Sequence, residues 1–221
     1  VPAEAHAPGL ETVARRCADA HLSVFGAFHP GPSSGAPADV GTLVLLGPRD
    51  PGFWDHFTGQ PEYADGAPDP LDRWSRRVIG ALAEDLGAVP LFPFGGPPHH
   101  PFVQWARATG RAHVSPVGLL VHDTAGLMLS FRGALGLAGR LPLPAPPPNP
   151  CDSCAARPCL SACPVSALGP DGYDVAACKT DLDRPGNDCM ARGCAVRRAC
   201  PVSQRHGRLE AQSAFHMDHF R

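Results

Sequence analysis

"CDSCAARPCLSACPVSAL", residues 151–168, holds four cysteines within thirteen positions, and a proline follows the last of them. A second set, "CMARGCAVRRACPVS" (189–203), also ends its cysteines on a proline, and Cys178 stands alone between the two. The spacings are Cys151-x2-Cys154-x4-Cys159-x3-Cys163-Pro164 and, after Cys178, Cys189-x4-Cys194-x5-Cys200-Pro201. A bacterial ferredoxin run is C-x2-C-x2-C-x3-C-P, and in two-cluster proteins its fourth cysteine ligates the other cluster. The end of that run is matched here. The middle gap is two residues longer, and the second set shares the same x4 gap.

An iron–sulfur cubane needs four thiolates at its corners. Short loops can wrap three of them around it, and a remote segment supplies the fourth. A proline after the remote ligand turns the chain away without offering a competing backbone donor. By the exchange rule, one 4Fe–4S cluster takes Cys151, Cys154, Cys159 and Cys200. The other takes Cys163, Cys178, Cys189 and Cys194, and the group of eight divides without remainder. Two rival readings are weaker. Zinc usually takes two C-x2-C knuckles, and only Cys151/Cys154 has that spacing. Disulfides conflict with the reducing compartment expected for this chain.

Outside the cysteine block the composition is that of a folded protein. The chain has 221 residues, 43% hydrophobic and 18% charged, enough for one large domain or two small ones. A net charge of −2 offers no bulk attraction to nucleic acid or membrane. The opening "VPAEAHAPGLETVARRC" lacks the apolar run of a secretory signal, and no segment approaches membrane-spanning length. The expectation is a soluble cytoplasmic protein with no membrane partner.

The proline-rich segment 141–150 divides the chain as an extended connector. We expect an α/β domain over 1–140, a ferredoxin-type domain over 151–205 and a C-terminal helix or tail over 206–221. In the first part "LSVFGAFH" (22–29) and "GTLVLLG" (41–47) read as strands. "DPLDRWSRRVIGALAEDLG" (69–87) is the clearest helix, with Asp69 as cap, Pro70 in the first turn, and Leu71, Trp74, Val78, Leu82 and Leu86 on one face. Gly87 closes it. "AVPLFPF" (88–94) reads as an edge strand because of its prolines, and 100–110 as a second helix. The apolar runs 117–122 and 126–135 around "DTAG" predict a hairpin. Short helices are expected to leave the cysteine loops at "ACPVSAL" and "RRACPVSQRHGRLEAQSAF". The first part is therefore a sheet flanked by helices.

"GLLVHDTAGLMLSFRGALGLAGRLPLP" (118–144), leading into the cysteine block, resembles the corresponding part of the epoxyqueuosine reductase family, and "DVAAC" around Cys178 is similar to that family's isolated ligand. The resemblance covers roughly residues 80–205. It implies a nitroreductase-like, B12-processing-like α/β (α+β) domain, a ferredoxin-like domain with two 4Fe–4S clusters, and cobalamin as a further cofactor. That family completes a modified base in tRNA with a catalytic aspartate placed just ahead of the helix equivalent to 101–109. Here the place reads "FPFGGPPHHPF" (92–102), and no carboxylate lies between Asp85 and Asp123. Reductive removal of an oxygen needs a positioned acid. A histidine such as His99 or His100 could substitute chemically. The family's lysine and glycine before the hairpin are replaced by "VSPVG" (114–118), and tRNA is not an expected partner.

The leading expectation is an iron–sulfur redox protein, a one-electron carrier or accessory reductase that serves a redox partner protein. The alternative is a cobalamin-dependent reductase acting on a small molecule or on the corrinoid itself. His122 is the candidate corrinoid contact, weighed against a polar residue that ends a strand. The five arginines of 192–208 meet either phosphates or, as the favoured reading, the negative charge of a thiolate-bound cluster. His216 and His219 are set against a plain C-terminal helix, and Phe53, Trp54 and Phe57 against ordinary core.

Overall fold

The computed structural model describes residues 9–221. Helix α1 (Leu10–Asp19) leads into strands β1 (Leu22–Phe28) and β2 (Thr42–Pro48), then helices α2 (Phe53–Thr58), α3 (Pro61–Ala64) and α4 (Pro70–Leu86). Strand β3 (Val89–Leu91), helix α5 (Phe102–Ala108) and strands β4 (Ala112–Val114), β5 (Leu120–His122) and β6 (Gly133–Leu137) follow. Past the prolines come β7 (Leu168–Gly169), β8 (Gly172–Tyr173) and helices α6 (Val175–Leu182), α7 (Cys189–Arg192), α8 (Ala195–Ala199), α9 (Pro201–His206) and α10 (Glu210–Phe220). The fold is mixed α+β with antiparallel sheets. Among the described residues no helix is long and apolar enough to cross a membrane.

Two compact units divide the chain. The first is Val1–Gly110 with Ser130–Pro146, and the second is Arg111–Leu129 with Pro147–Arg221. This division differs from the expected one at the connector, because residues 111–129 group with the cysteine-rich half.

The first unit is built on an antiparallel sheet of order β1-β2-β6-β3. β2 is buried along its whole length, so both faces of the sheet are covered at its centre. β3 sits at the edge, as Pro90 requires. Thr42, the one polar side chain of β2, is fully buried and satisfied: its hydroxyl donates to Gly139 O at 2.7 Å and accepts from Leu141 N–H at 2.9 Å. Phe53 and Phe57 of α2 pack on Trp74 of α4, with ring centroids 5.3 and 6.0 Å apart. Each such burial contributes about 1.5–3 kcal/mol. The core reading of the "PGFWDHF" aromatics holds, since Phe53, Trp54 and Phe57 are all buried.

Three local expectations need correction. α4 starts on Pro70 and stops at Gly87 (φ 60°), but Asp69 does not cap it with its side chain. Asp69 sits at φ 52°, and its backbone carbonyl takes the N–H groups of Asp72 and Arg73 instead. The buried face of α4 is Leu71, Trp74, Ser75, Ile79, Ala83 and Leu86, while Val78 and Leu82 are half-buried. Ser75 can lie on that face because its hydroxyl donates to Leu71 O at 2.7 Å. The hairpin of 117–122 with 126–135 does not form. A single bridge joins His122 to Gly126, β5 pairs with β4, and the later run becomes β6, paired with β2 and β3.

The second unit has only two two-stranded sheets, β4-β5 and β7-β8, and short helices. Its core is Val117, Val121, Leu127, Leu168, Val196 and Val202 together with Cys159 and Cys200. "RRACPVSQRHGRLEAQSAF" gives the end of α8, then α9 with Pro201 in its first turn, then the start of α10. "ACPVSAL" gives no helix. Ser166 takes φ 52° and the Ala167 N–H donates to Cys163 Sγ at 3.2 Å, so the chain turns away from helical pairing into β7.

Candidate metal centre

All nine cysteines carry free thiols. Cys17 is apart from the rest, fully buried in α1, where desolvation pushes its pKa up to about 12. Such a thiol stays protonated and packs as a small apolar group.

Cys151, Cys154, Cys159 and Cys200 line one cavity of about 320 Å³. The volume is roughly ten times one water's ~30 Å³ share of the liquid. Local turns present these cysteines. Asn149 Oδ1 accepts from Cys151 N–H at 3.1 Å, the Cys154 N–H reaches back to Cys151 O at 3.3 Å, and a 3-10 turn over Pro158–Leu160 carries Cys159. Cys200 comes from the junction of α8 and α9, held in an extended conformation (φ −66°, ψ 123°). Val121 and Leu127 form apolar wall, and Ser115 brings a buried hydroxyl with no hydrogen-bond partner. Burial raises the pKa of the Cys151 and Cys159 thiols, and the other cysteines of this same group raise them further. Thiols such as Cys151 and Cys159, held up by burial and by their neighbouring cysteines, resist ionising unless positive charge joins them. Such a donor set suits a cationic metal group.

The second group has its own connections. Cys178, on α6, is raised first by burial and further by Cys194 and Cys163. Cys189, opening α7, is raised by burial and by Cys194. Asn187 Oδ1 accepts from Cys189 N–H at 2.8 Å, repeating the Asn149–Cys151 turn. Hydrogen bonds reach two sulfurs of this group: Ala167 N–H donates to Cys163 and Tyr173 Oη to Cys178, each at 3.2 Å. The structure thus brings the first four together around a cavity and links the second four electrostatically. Among the described residues no three His, Cys, Asp or Glu side chains form a group that could hold a single metal ion. Zn–S bonds of ~2.3 Å would put tetrahedral sulfurs within about 4 Å of one another.

His122 has no exposed surface. Its Nδ1 accepts from the N–H groups of Thr124 and Ala125, both at 3.2 Å, and its Nε2 lies 3.2 Å from Asp123 Oδ1. Asp123 in turn receives a two-pronged bond from Arg111 at 3.0 and 2.9 Å. The ring is the internal anchor of the "HDTAG" turn, which matches the reading of a polar residue at a strand end. His100 stacks on Trp105 at 5.3 Å.

Two arginines of the stretch 192–208 pair with acids. Arg192 pairs with Asp188 at 3.0 Å and Glu210 at 2.6 Å, and Arg198 pairs with Asp188 at 2.6 Å. Arg205 lines the cavity, and Arg197 donates to Leu127 O while its charge acts on Cys194 and Tyr173. His216 and His219 lie on α10, where His219 Nδ1 is 2.8 Å from Phe215 O. α10 packs on α7, and it buries Gln212 and Ser213.

Sequence reasoning passed over Tyr173, Arg197 as an individual, and the two Asn turns. The Asn signal was present as "NPC" and "NDC", an Asn two residues ahead of a cysteine in both sets. No protein-family model, no curated protein and no solved structure matches this chain.

Proposed function

We propose that the chain is an iron–sulfur redox protein with two 4Fe–4S clusters, serving as an electron carrier or accessory reductase for a partner protein. The observation that carries this reading is the cavity walled by Cys151, Cys154, Cys159 and Cys200, three ligands from one loop and a fourth from 41 residues further on. Cys163, Cys178, Cys189 and Cys194 would hold the second group. When bound, such groups supply reversible one-electron transfer. The protein's part is to hold the thiolates, exclude water and set the surrounding charge. The second unit is read as a ferredoxin-type module and the first as a cap akin to that of the epoxyqueuosine reductase family. The absence of a carboxylate between Asp85 and Asp123 favours carrying electrons over protonating a substrate.

Anaerobic isolation tests the reading. A brown protein with broad absorption and about eight irons per chain supports it. Colourless protein that carries zinc overturns it. Hydroxocobalamin added to the brown protein separates the carrier from a corrinoid-dependent reductase, because only the latter gives a shifted corrin spectrum.

A further inference from the structure

The two cysteine groups differ in what surrounds their sulfurs. In the second, Tyr173 Oη donates to Cys178 Sγ and Ala167 N–H to Cys163 Sγ, both at 3.2 Å. Arg197 acts on Cys194 and Tyr173, and its guanidinium is anchored on Leu127 O. Arg197 is half-buried, and desolvation pulls its pKa below its ordinary value. The first group is the one that lines the cavity. Arg157 and Arg205 border the cavity but are exposed, so solvent and salt screen them. Ser115 has a buried hydroxyl that bonds to none of the four sulfurs.

Reduction adds negative charge to a thiolate-bound cluster. Donors aimed at its sulfurs, and a half-buried cation beside it, stabilise that charge and raise the reduction potential. We infer that Tyr173 and Arg197 are positioning residues that hold the Cys163–Cys178–Cys189–Cys194 group at a higher reduction potential than the Cys151–Cys154–Cys159–Cys200 group. The inference rests on the two-cluster reading. It gives that reading a direction, because the second group is the one that keeps an electron at equilibrium.

Tyr173 suits a clean test. Its ring stacks on Phe220 with centroids 6.1 Å apart, so Tyr173→Phe removes the hydroxyl and keeps the packing. An EPR-monitored redox titration of the anaerobic protein should give two midpoints. In Tyr173→Phe the higher midpoint should move to more negative potential while the lower stays. Arg197→Lys, which keeps a charge but loses the planar donor, should move the same midpoint in the same direction. Movement of the lower midpoint in Tyr173→Phe, or of neither, overturns the inference while leaving the clusters established. A parent protein without any iron signal overturns the two-cluster reading itself, and the inference falls with it.

Discussion

The N–H of Leu127 donates to Ser203 Oγ at 2.8 Å, joining two residues 76 positions apart. Beside it, a Cβ on Gly126 would stand 2.4 Å from the Ser203 backbone nitrogen, and Gly126 already takes φ 58°. The segment 111–129 is thereby fixed to α9, which begins directly after Cys200. This contact explains why that segment belongs to the cysteine-rich unit.

Gly126→Ala should be among the most damaging small substitutions in the second unit. It meets both a left-handed backbone and a backbone neighbour that cannot rotate away. A loss on the order of 2–4 kcal/mol is expected. Ser203→Ala leaves the Leu127 N–H unpaired and should cost about 1–3 kcal/mol. Denaturation midpoints under anaerobic conditions measure both, and an unchanged midpoint for Gly126→Ala contradicts the contact.

Thr42→Val keeps the shape of the side chain and removes two hydrogen bonds at the centre of the first unit's sheet. It strands the Leu141 N–H and the Gly139 carbonyl, for an expected loss of about 2–4 kcal/mol. Thr42→Ser keeps the hydroxyl and should recover most of the difference. Equal losses in the two variants would show that the methyl group, not the hydroxyl, matters here.

Acid should weaken the first unit partly through Glu62. The hydrogen-bonded Arg77 guanidinium holds its carboxyl below the ordinary value of 4.5. A depressed folded pKa contributes stability that is fully present above the unfolded pKa and is lost as pH falls through the folded one. Glu62→Gln should therefore cost on the order of 1 kcal/mol at pH 7, screened by the half-exposed Arg77. The variant's loss should shrink towards zero below pH 4. A constant difference at every pH would contradict the ion pair as its source.

His122→Ala removes the acceptor shared by the Thr124 and Ala125 N–H groups. It should cost about 1–3 kcal/mol and leave iron per folded chain unchanged. Iron loss at full stability would give the residue a role at the metal centre instead.

Much of the first unit is legible in the sequence because its signals are local. β1 and β2 are apolar runs between turn residues, and α4 shows its Pro70 start and Gly87 stop. The hairpin misreading has a different origin. β6 lies between β2 and β3, with Ala134 opposite both Leu45 and Leu91, and such distant pairing leaves no apolar pattern of its own within 117–135. Its glycines were the available clue. A Cβ at Gly133 would stand 2.7 Å from Ile79 Cδ1, the close approach of a central strand rather than a hairpin tip. Asp69 fails as a cap because its φ of 52° directs the backbone, not the carboxylate, to the helix start. At the candidate metal centre the cysteine spacings carry the proposed grouping, since loop lengths limit which thiols can meet. Tyr173 is not legible in that way. Its hydroxyl reaches Cys178 only because the β7–β8 turn and the Asp174 cap, bonded to Ala177 N–H at 2.9 Å, fold the chain back over α6.

The iron content of two double variants, compared with the parent, tests the central claim most directly. Cys151→Ala with Cys200→Ala damages one proposed group twice and leaves the other whole, so about four irons per chain should remain. Cys151→Ala with Cys163→Ala damages both groups and should retain far less. The opposite order, or a parent chain that binds no iron, would contradict two clusters ligated across the two cysteine sets.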